Sequence, residues 1–136
     1  PMEKAGPLLC AGITMYDPLK HWGATAGNKN VGIIGIGGLG TMGIKLAKAM
    51  GNRVVAISTS SAKEAMAKEK GADGFINSKD PESMKTEFAK LDLILNTVSA
   101  PHECSEYLSL LAQGGILVQL GVIGEPQHIN QMLLVG

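Results

Sequence analysis

Residues 31–40 decide the fold: Val31-Gly32-Ile33-Ile34-Gly35-Ile36-Gly37-Gly38-Leu39-Gly40. A short apolar run leads into a glycine cluster with the spacing Gly-x-Gly-x-x-Gly, and position 38 is an additional glycine. The next residues place one apolar stripe at helical spacing: Leu39, Met42, Gly43, Leu46, Ala47 and Met50. A second apolar run at 53–58 completes the order strand, glycine turn, helix and strand, which predicts a βαβ unit of a parallel sheet.

The rest of the chain repeats this alternation. It predicts strands at 31–36, 53–58, 74–77, 92–98 and 116–122, joined by four helices, in an α/β Rossmann-type doubly wound parallel sheet of about five strands with helices on both faces. The second helix should begin with the capping box Ser61 to Glu64, the third at Asp80-Pro81, and the fourth near Ser99, ending at Gly114-Gly115. Residues 1–30 should form an inter-domain helix and connection, and 31–136 the βα units.

Size and composition restrict the classes of protein to which the chain can belong. The 136 residues suffice for one domain with one sizeable core. Twelve basic and twelve acidic residues balance, so no net field would attract nucleic acid or an anionic membrane. We find no membrane span, and the two cysteines form neither a disulfide framework nor a CxxC pair, which favours a reducing cytoplasmic setting.

The glycine turn predicts a phosphate site because it lies between a strand and a periodic helix. Gly35 permits the tight turn, Gly37 lets a diphosphate approach the backbone, and Gly40 brings helix and strand together. Gly38 and Leu39 add amides at the positive end of the helix dipole. The alternative is a glycine turn that serves packing alone.

The end of the second strand indicates which dinucleotide binds. It reads Ser58-Thr59-Ser60 with Lys63 nearby, where an NAD site normally has a carboxylate for the ribose 2′-hydroxyl. Hydroxyls and an ammonium suit a 2′-phosphate, so the pattern favours NADP(H) over NAD. The missing acid also weakens FAD and S-adenosylmethionine as ligands. The alternative is a serine run that only caps the next helix.

Ligands of parallel α/β sheets bind beyond the carboxyl ends of the strands. This rule assigns two segments to the nicotinamide side: Asn96-Thr97-Val98-Ser99-Ala100 and Leu120-Gly121-Val122. Val98 could pack on the ring, and the backbone near Gly121 could meet the carboxamide. These residues could equally be ordinary strand ends.

Several stretches together resemble the cinnamyl alcohol dehydrogenase family of zinc-dependent medium-chain dehydrogenases. They are Pro7 to Thr14, Tyr16, Pro18-Leu19-Lys20, the glycine turn, Ser58-Thr59-Ser60, Lys63, Gly71-Ala72-Asp73, Thr97 to Ala100 and Leu120-Gly121. The resemblance covers nearly the whole chain. It implies a cytosolic, usually dimeric enzyme that reversibly reduces small aldehydes to alcohols with NADPH.

The resemblance also implies a catalytic zinc, with Cys10 as one thiolate ligand and Thr14 beside the nicotinamide. Spacing alone would make Cys10 a buried core cysteine. The family's other catalytic-zinc ligands and its structural zinc motif lie outside this sequence, so we expect a nucleotide-binding piece of a larger enzyme that is inactive alone. In the family's strand order the fifth strand then becomes a sheet edge.

Other interpretations stay open. One is a zinc-free medium-chain reductase of the quinone oxidoreductase type, which a residue other than cysteine at position 10 would favour. Another is a stand-alone, non-catalytic NADP(H)-binding module, and a methyltransferase is more remote. His102-Glu103-Cys104 suggests a metal site, but the neighbouring Pro101 favours the exposed first turn of a helix.

Overall fold

The computed structural model describes residues 5–134. An N-terminal helical stretch consists of α1 (Ala5–Pro7), a π-helical segment (Leu8–Gly12) and α2 (Ile13–His21), followed by a 3₁₀ turn (Ala24–Ala26). Strands then alternate with helices: β1 (Asn30–Ile34), α3 (Gly38–Ala49), β2 (Arg53–Ser58), a 3₁₀ turn (Ser61–Lys63), α4 (Glu64–Glu69), β3 (Gly74–Asn77), α5 (Pro81–Lys85), β4 (Leu91–Asn96), α6 (Ser105–Leu108) and β5 (Leu111–Gln119). A 3₁₀ turn at Gln131–Leu134 ends the described part.

The five strands form one parallel sheet in the order β3-β2-β1-β4-β5. Successive strands are added on both sides of β1: β2 and β3 lie on one side, and β4 and β5 lie on the other. The α/β doubly wound prediction is therefore confirmed. In residues 5–134, β5 has a neighbour only on its β4 side, so it is the sheet edge that the sequence predicted.

Both faces of the sheet are covered. Val31 and Ile33 of β1 point to the face where Met15 of α2 and Ile44 of α3 are buried. The opposite face holds Ile34, Val55, Ile57 and Ile94 with Tyr107 and Leu110 from the α6 region. Continuous apolar strands are what such two-sided burial requires.

The buried side chain of Asn52 joins the layers. Its Oδ1 accepts a hydrogen bond from the Lys29 amide at 3.1 Å, and its Nδ2 donates to the carbonyls of Ala24 and Ala47 at 2.9 Å each. The connection that precedes β1 is thereby fixed to the end of α3.

Several predicted boundaries are wrong by a few residues. β1 ends at Ile34 and β4 at Asn96, because the chain turns at Gly35 and at Thr97 to form the loops at the sheet's carboxyl edge. β5 begins at Leu111, five residues before the predicted start, and ends at Gln119 rather than Val122.

Two predicted helix starts are also wrong. Ser61 begins a 3₁₀ turn, so α4 starts only at Glu64, and no side chain caps either element. The Ser61 hydroxyl instead accepts a hydrogen bond from Asn77 Nδ2 at 2.9 Å. Residues 99–104 are not helical, and α6 spans Ser105–Leu108, since side-chain hydrogen bonds hold the preceding segment against β4.

The third helix start is confirmed. Asp80 is the N-cap of α5, its carboxylate accepts from the Glu82 amide at 3.1 Å, and Pro81 follows. Among residues 5–134, no helix has the length and apolar character needed to cross a membrane.

Asp73 links α3 to the start of β2. One carboxylate oxygen accepts from the Val54 amide at 2.8 Å, and the other pairs with the Lys48 ammonium. Burial by itself would raise the pKa of this carboxyl, but the hydrogen bonds from Lys48 and Val54 and the charges of Lys48 and Arg53 together hold its pKa below the ordinary 3.8.

We predict that Asp73→Asn lowers the free energy of unfolding by about 1 kcal/mol at pH 7, because the charge-assisted contacts are lost. A depressed folded-state pKa stabilises the fold above the unfolded-state pKa and loses that contribution as pH falls through the folded-state value. Urea unfolding from pH 7 to pH 3 should therefore show the wild type and Asp73→Asn converging below about pH 4.

The control is Glu82→Gln, which removes an exposed carboxylate paired with Lys85. It should leave the unfolding free energy within about 0.5 kcal/mol at every pH. A constant difference between the wild type and Asp73→Asn across the pH range would contradict the electrostatic role of Asp73.

Candidate dinucleotide-binding site

The glycine turn begins at Gly35, directly after β1. Gly35 has φ +87°, a conformation that favours glycine, and its amide donates to the Ile57 carbonyl of β2 at 3.0 Å. A Cβ at this position would lie 2.8 Å from both Thr97 Oγ1 and Val98 Cγ2. The turn is therefore held between β2 and the loop that follows β4.

Gly40 makes the closest approach of helix and strand. A Cβ on Gly40 would overlap the Gly35 carbonyl oxygen, so only glycine allows α3 to start where it does. The packing role predicted for this third glycine matches its position in the structure.

Gly37 and Gly38 face open space instead. Gly37 is the N-cap of α3 and no side chain caps the helix, while a Cβ on either glycine would meet no atom within 4 Å. The first-turn amides of Gly38, Leu39 and Gly40 have no acceptor within the helix, because four such groups remain unpaired at every helix start. An anion fits this open, amide-lined surface without steric conflict.

The end of β2 brings a hydroxyl and an ammonium next to the turn. Ser58 is only 7% exposed, and its Oγ accepts from the Ser60 amide at 3.3 Å, which leaves the hydroxyl proton free to donate. The Lys63 Nζ donates to the Ile36 carbonyl at 3.2 Å and so lies directly beside the glycine turn. Thr59 and Ser60 are exposed on the same loop.

The residues predicted for the nicotinamide side lie at the carboxyl ends of β4 and β5. Thr97 Oγ1 donates to the carbonyls of Ile34 and Gly35 at 2.8 and 3.0 Å, which ties this loop to the glycine turn. A Cβ on Gly121 would overlap the Val98 carbonyl group, so the two segments cross in backbone contact. Ser99 is exposed and Val122 is 83% exposed.

Cys10 and Thr14 lie on the N-terminal helical stretch. The Thr14 hydroxyl donates to the Cys10 carbonyl at 2.8 Å, and the π-helical segment that contains Cys10 packs against α3. Cys10 is an exposed free thiol, so the spacing-based interpretation as a core cysteine is wrong.

The described residues do not form a zinc site. Within 5–134, no three His, Cys, Asp or Glu side chains converge in a way that could hold a metal ion. Cys10 would offer a single thiolate, whereas a catalytic zinc needs three ligands from protein.

The position of Cys104 in the structure differs from the predicted one. It is buried and precedes α6 instead of lying in an exposed first turn, and it lies 3.3 Å from His102 Nε2. Burial raises the pKa of its thiol, and the charge of Glu103 raises it further, so the thiol is protonated at neutral pH.

A parallel sheet in the order β3-β2-β1-β4-β5, with a glycine turn after β1 and a switch in strand order between β1 and β4, defines a Rossmann-type nucleotide-binding domain. A family profile described as "Zinc-binding dehydrogenase" matches residues 38–135. The chain belongs to this zinc-binding dehydrogenase family.

Individual relatives support the same family assignment. A probable cinnamyl alcohol dehydrogenase 2 of Picea abies is 48% identical over 136 residues, which are 99% of this chain and 38% of that protein. An aldehyde reductase, YahK, of Escherichia coli is 52% identical over 125 residues, covering 92% of this chain and 36% of the relative. The chain thus spans under two-fifths of the curated relatives it matches.

Solved structures give the same result. A cinnamyl alcohol dehydrogenase of Sorghum bicolor superposes with a TM-score of 0.94 at 39% identity, covering 99% of this chain and 38% of that one. A Helicobacter pylori structure, described as CAD complexed with NADP(H), has a TM-score of 0.80 at 39% identity, covering 90% of this chain and 34% of that one. The resemblance to cinnamyl alcohol dehydrogenases is confirmed.

We predict different effects on stability for two alanine substitutions in the glycine turn. Gly40→Ala should lower the free energy of unfolding by about 3 kcal/mol, because its Cβ has no space against Gly35. Gly38→Ala should leave it unchanged or raise it by about 0.5 kcal/mol, because alanine favours a helix and the site is open.

Urea unfolding of both variants, followed by circular dichroism, provides the measurement. Equal stability of Gly40→Ala and Gly38→Ala would mean that the close contact between α3 and β1 does not constrain the fold.

Proposed function

We propose that this chain is the NADP(H)-binding domain of a zinc-dependent alcohol dehydrogenase of the cinnamyl alcohol dehydrogenase type. The complete protein would transfer hydride between NADPH and a small aldehyde or alcohol. The observation that carries the cofactor assignment is the Lys63 ammonium, 3.2 Å from the Ile36 carbonyl, beside a β2 end without a carboxylate.

The adenosine end is proposed to lie across the loop after β2. The ribose 2′-phosphate would accept hydrogen bonds from Ser58, Thr59 and Ser60 and would pair with Lys63. An NAD-type site places an acid here, which would repel that phosphate. The complex of the Helicobacter pylori relative with NADP(H) supports the same assignment.

The diphosphate is proposed to bind the amides of Gly38, Leu39 and Gly40, close to Gly35 and Gly37. The positive end of the α3 dipole favours the anion, and the two open glycines let it approach the backbone. No lysine is needed for this contact.

The nicotinamide end would then reach the carboxyl edge of the sheet where β1 and β4 are neighbours. We assign Thr97, Val98, Ser99, Gly121 and Val122 to this end, with Thr14 approaching from the N-terminal helical stretch. When bound, the cofactor supplies or accepts the hydride, while these residues hold the ring and exclude water around it.

Cys10 is proposed to ligate the catalytic zinc of the complete protein. Its exposed thiol and its place in the Cys10-to-Thr14 stretch favour the zinc-dependent assignment over a zinc-free reductase. The same proposal includes a homodimer and a cytoplasmic location. It also divides the chain at residue 30 into an inter-domain helix and the βα units.

The cofactor test is a titration of the purified chain with NADPH and NADH, followed by nicotinamide fluorescence. We expect tighter binding of NADPH. Lys63→Ala should weaken NADPH binding by about tenfold or more through loss of one charge-assisted contact, and should leave NADH within about twofold.

Lys68→Ala is the matched control. Lys68 is an exposed lysine of α4, farther along the chain than Lys63, and it pairs with Glu64. Ser58→Asp should reverse the preference by placing a carboxylate at the ribose. Equal affinities of the wild-type chain for NADPH and NADH would contradict the assignment.

The chain alone is predicted not to catalyse hydride transfer, since Cys10 is one zinc ligand of three. The measurement is NADPH oxidation with an aldehyde substrate in the presence of zinc. Turnover by the purified 136-residue chain would show that it contains a complete active site.

A further inference from the structure

A polar network surrounds the buried side chain of Asn96, the last residue of β4. Asn96 is 0% exposed and all its side-chain groups have partners. Its Oδ1 accepts from the Val98 amide at 3.2 Å, and its Nδ2 donates to Gln119 Oε1 at 2.8 Å and lies 2.8 Å from His102 Nε2.

These contacts determine the tautomer of His102. The Val98 amide can only donate, so it orients Oδ1 of Asn96 toward itself and Nδ2 toward the imidazole. Since Nδ2 has only protons to offer, His102 Nε2 must accept. The proton is therefore on Nδ1, which lies 2.8 Å from the Ala100 carbonyl and donates to it.

The network fixes two backbone segments at once. The Asn96 carbonyl accepts from the amides of Leu120 and Gly121 at 2.8 and 3.1 Å. Gln119 Nε2 donates to the Gly121 carbonyl at 2.8 Å and reaches the Val98 carbonyl at 3.4 Å. Val98 in turn contacts Gly35 of the phosphate turn.

Those segments are the ones assigned above to the nicotinamide end. The adenosine end lies two strands away, at the carboxyl end of β2, since β1 separates β2 from β4. Asn96, Gln119 and His102 are therefore suited to shape one end of the cofactor site without touching the other.

We propose that Asn96, Gln119 and His102 are positioning residues that hold the Val98 and Gly121 backbone where the nicotinamide ring binds. This inference rests on the proposed function and adds a specific role for three side chains. The acceptor at His102 Nε2 is the feature that makes it testable.

Two substitutions of His102 separate the functions of its nitrogens. His102→Asn retains a donor near the Nδ1 position, toward Ala100, but has no acceptor that reaches Asn96. His102→Gln reaches the Nε2 position with an acceptor oxygen. Gln119→Ala, at an exposed residue, removes the oxygen acceptor of Asn96 Nδ2 with less risk to folding.

The experiment measures the dissociation constants of NADPH and of adenosine 2′,5′-bisphosphate, which has no nicotinamide, for the wild-type chain and the three variants. Circular dichroism and urea midpoints verify folding. We expect NADPH binding to weaken about tenfold in His102→Asn and Gln119→Ala and to recover to within about threefold in His102→Gln. Bisphosphate binding should change by less than about twofold in all variants.

Several results would overturn the proposal. Unchanged NADPH affinity in folded His102→Asn and Gln119→Ala would remove the positioning role, and equal weakening of both ligands would reduce it to general stability. Equal wild-type affinities for the two ligands would mean that the nicotinamide makes no contact to be positioned. Failure of the wild-type chain to bind the bisphosphate would instead refute the proposed function itself, and this inference with it.

Discussion

The contact between Gly40 and the Gly35 carbonyl is the constraint on which the site depends. It requires the absence of a side chain at the first turn of α3, and it sets the helix directly on the end of β1. The unpaired amides of that turn consequently point into the space beyond the strand instead of into the core. A helix displaced outward by a single methyl group would carry the same dipole but aim it elsewhere. Packing and the proposed anion recognition are thus two consequences of one steric requirement.

Around this contact the loops after the strands are connected to each other. Lys63 reaches the turn from the β2 side, and Thr97 reaches it from the β4 side through two carbonyls. The Gly121 segment is joined to Val98 in the same way by Gln119. Because each loop is hydrogen-bonded to its neighbour, the proposed cofactor site is a continuous surface built before any ligand arrives, which reduces the ordering cost of binding.

The sequence alone predicts the features that depend on local periodicity and on glycine. Five strands, the glycine turn and the Asp80 cap follow from such patterns, and the structure contains all of them. It was insufficient where distant side chains compete with local preference. Pro101 within residues 99–104 suggests a helix start. The helix begins only at Ser105, because the His102 side chain is hydrogen-bonded to Asn96. Gln119 lies 23 residues from Asn96 and becomes its neighbour only once β5 pairs with β4, so no spacing rule could place it in the site.

Within residues 5–134, β5 is an open sheet edge, and this affects how the molecule behaves in solution. A strand with unpaired amides and carbonyls along one side is a template for another strand. The exposed apolar residues Met132, Leu133 and Leu134 line a hollow beside Leu111 and Ala112 of the same strand. Any association that covers the edge binds only the folded form, so folding and assembly become linked equilibria. An association of this kind would make the melting temperature rise with the concentration of the chain.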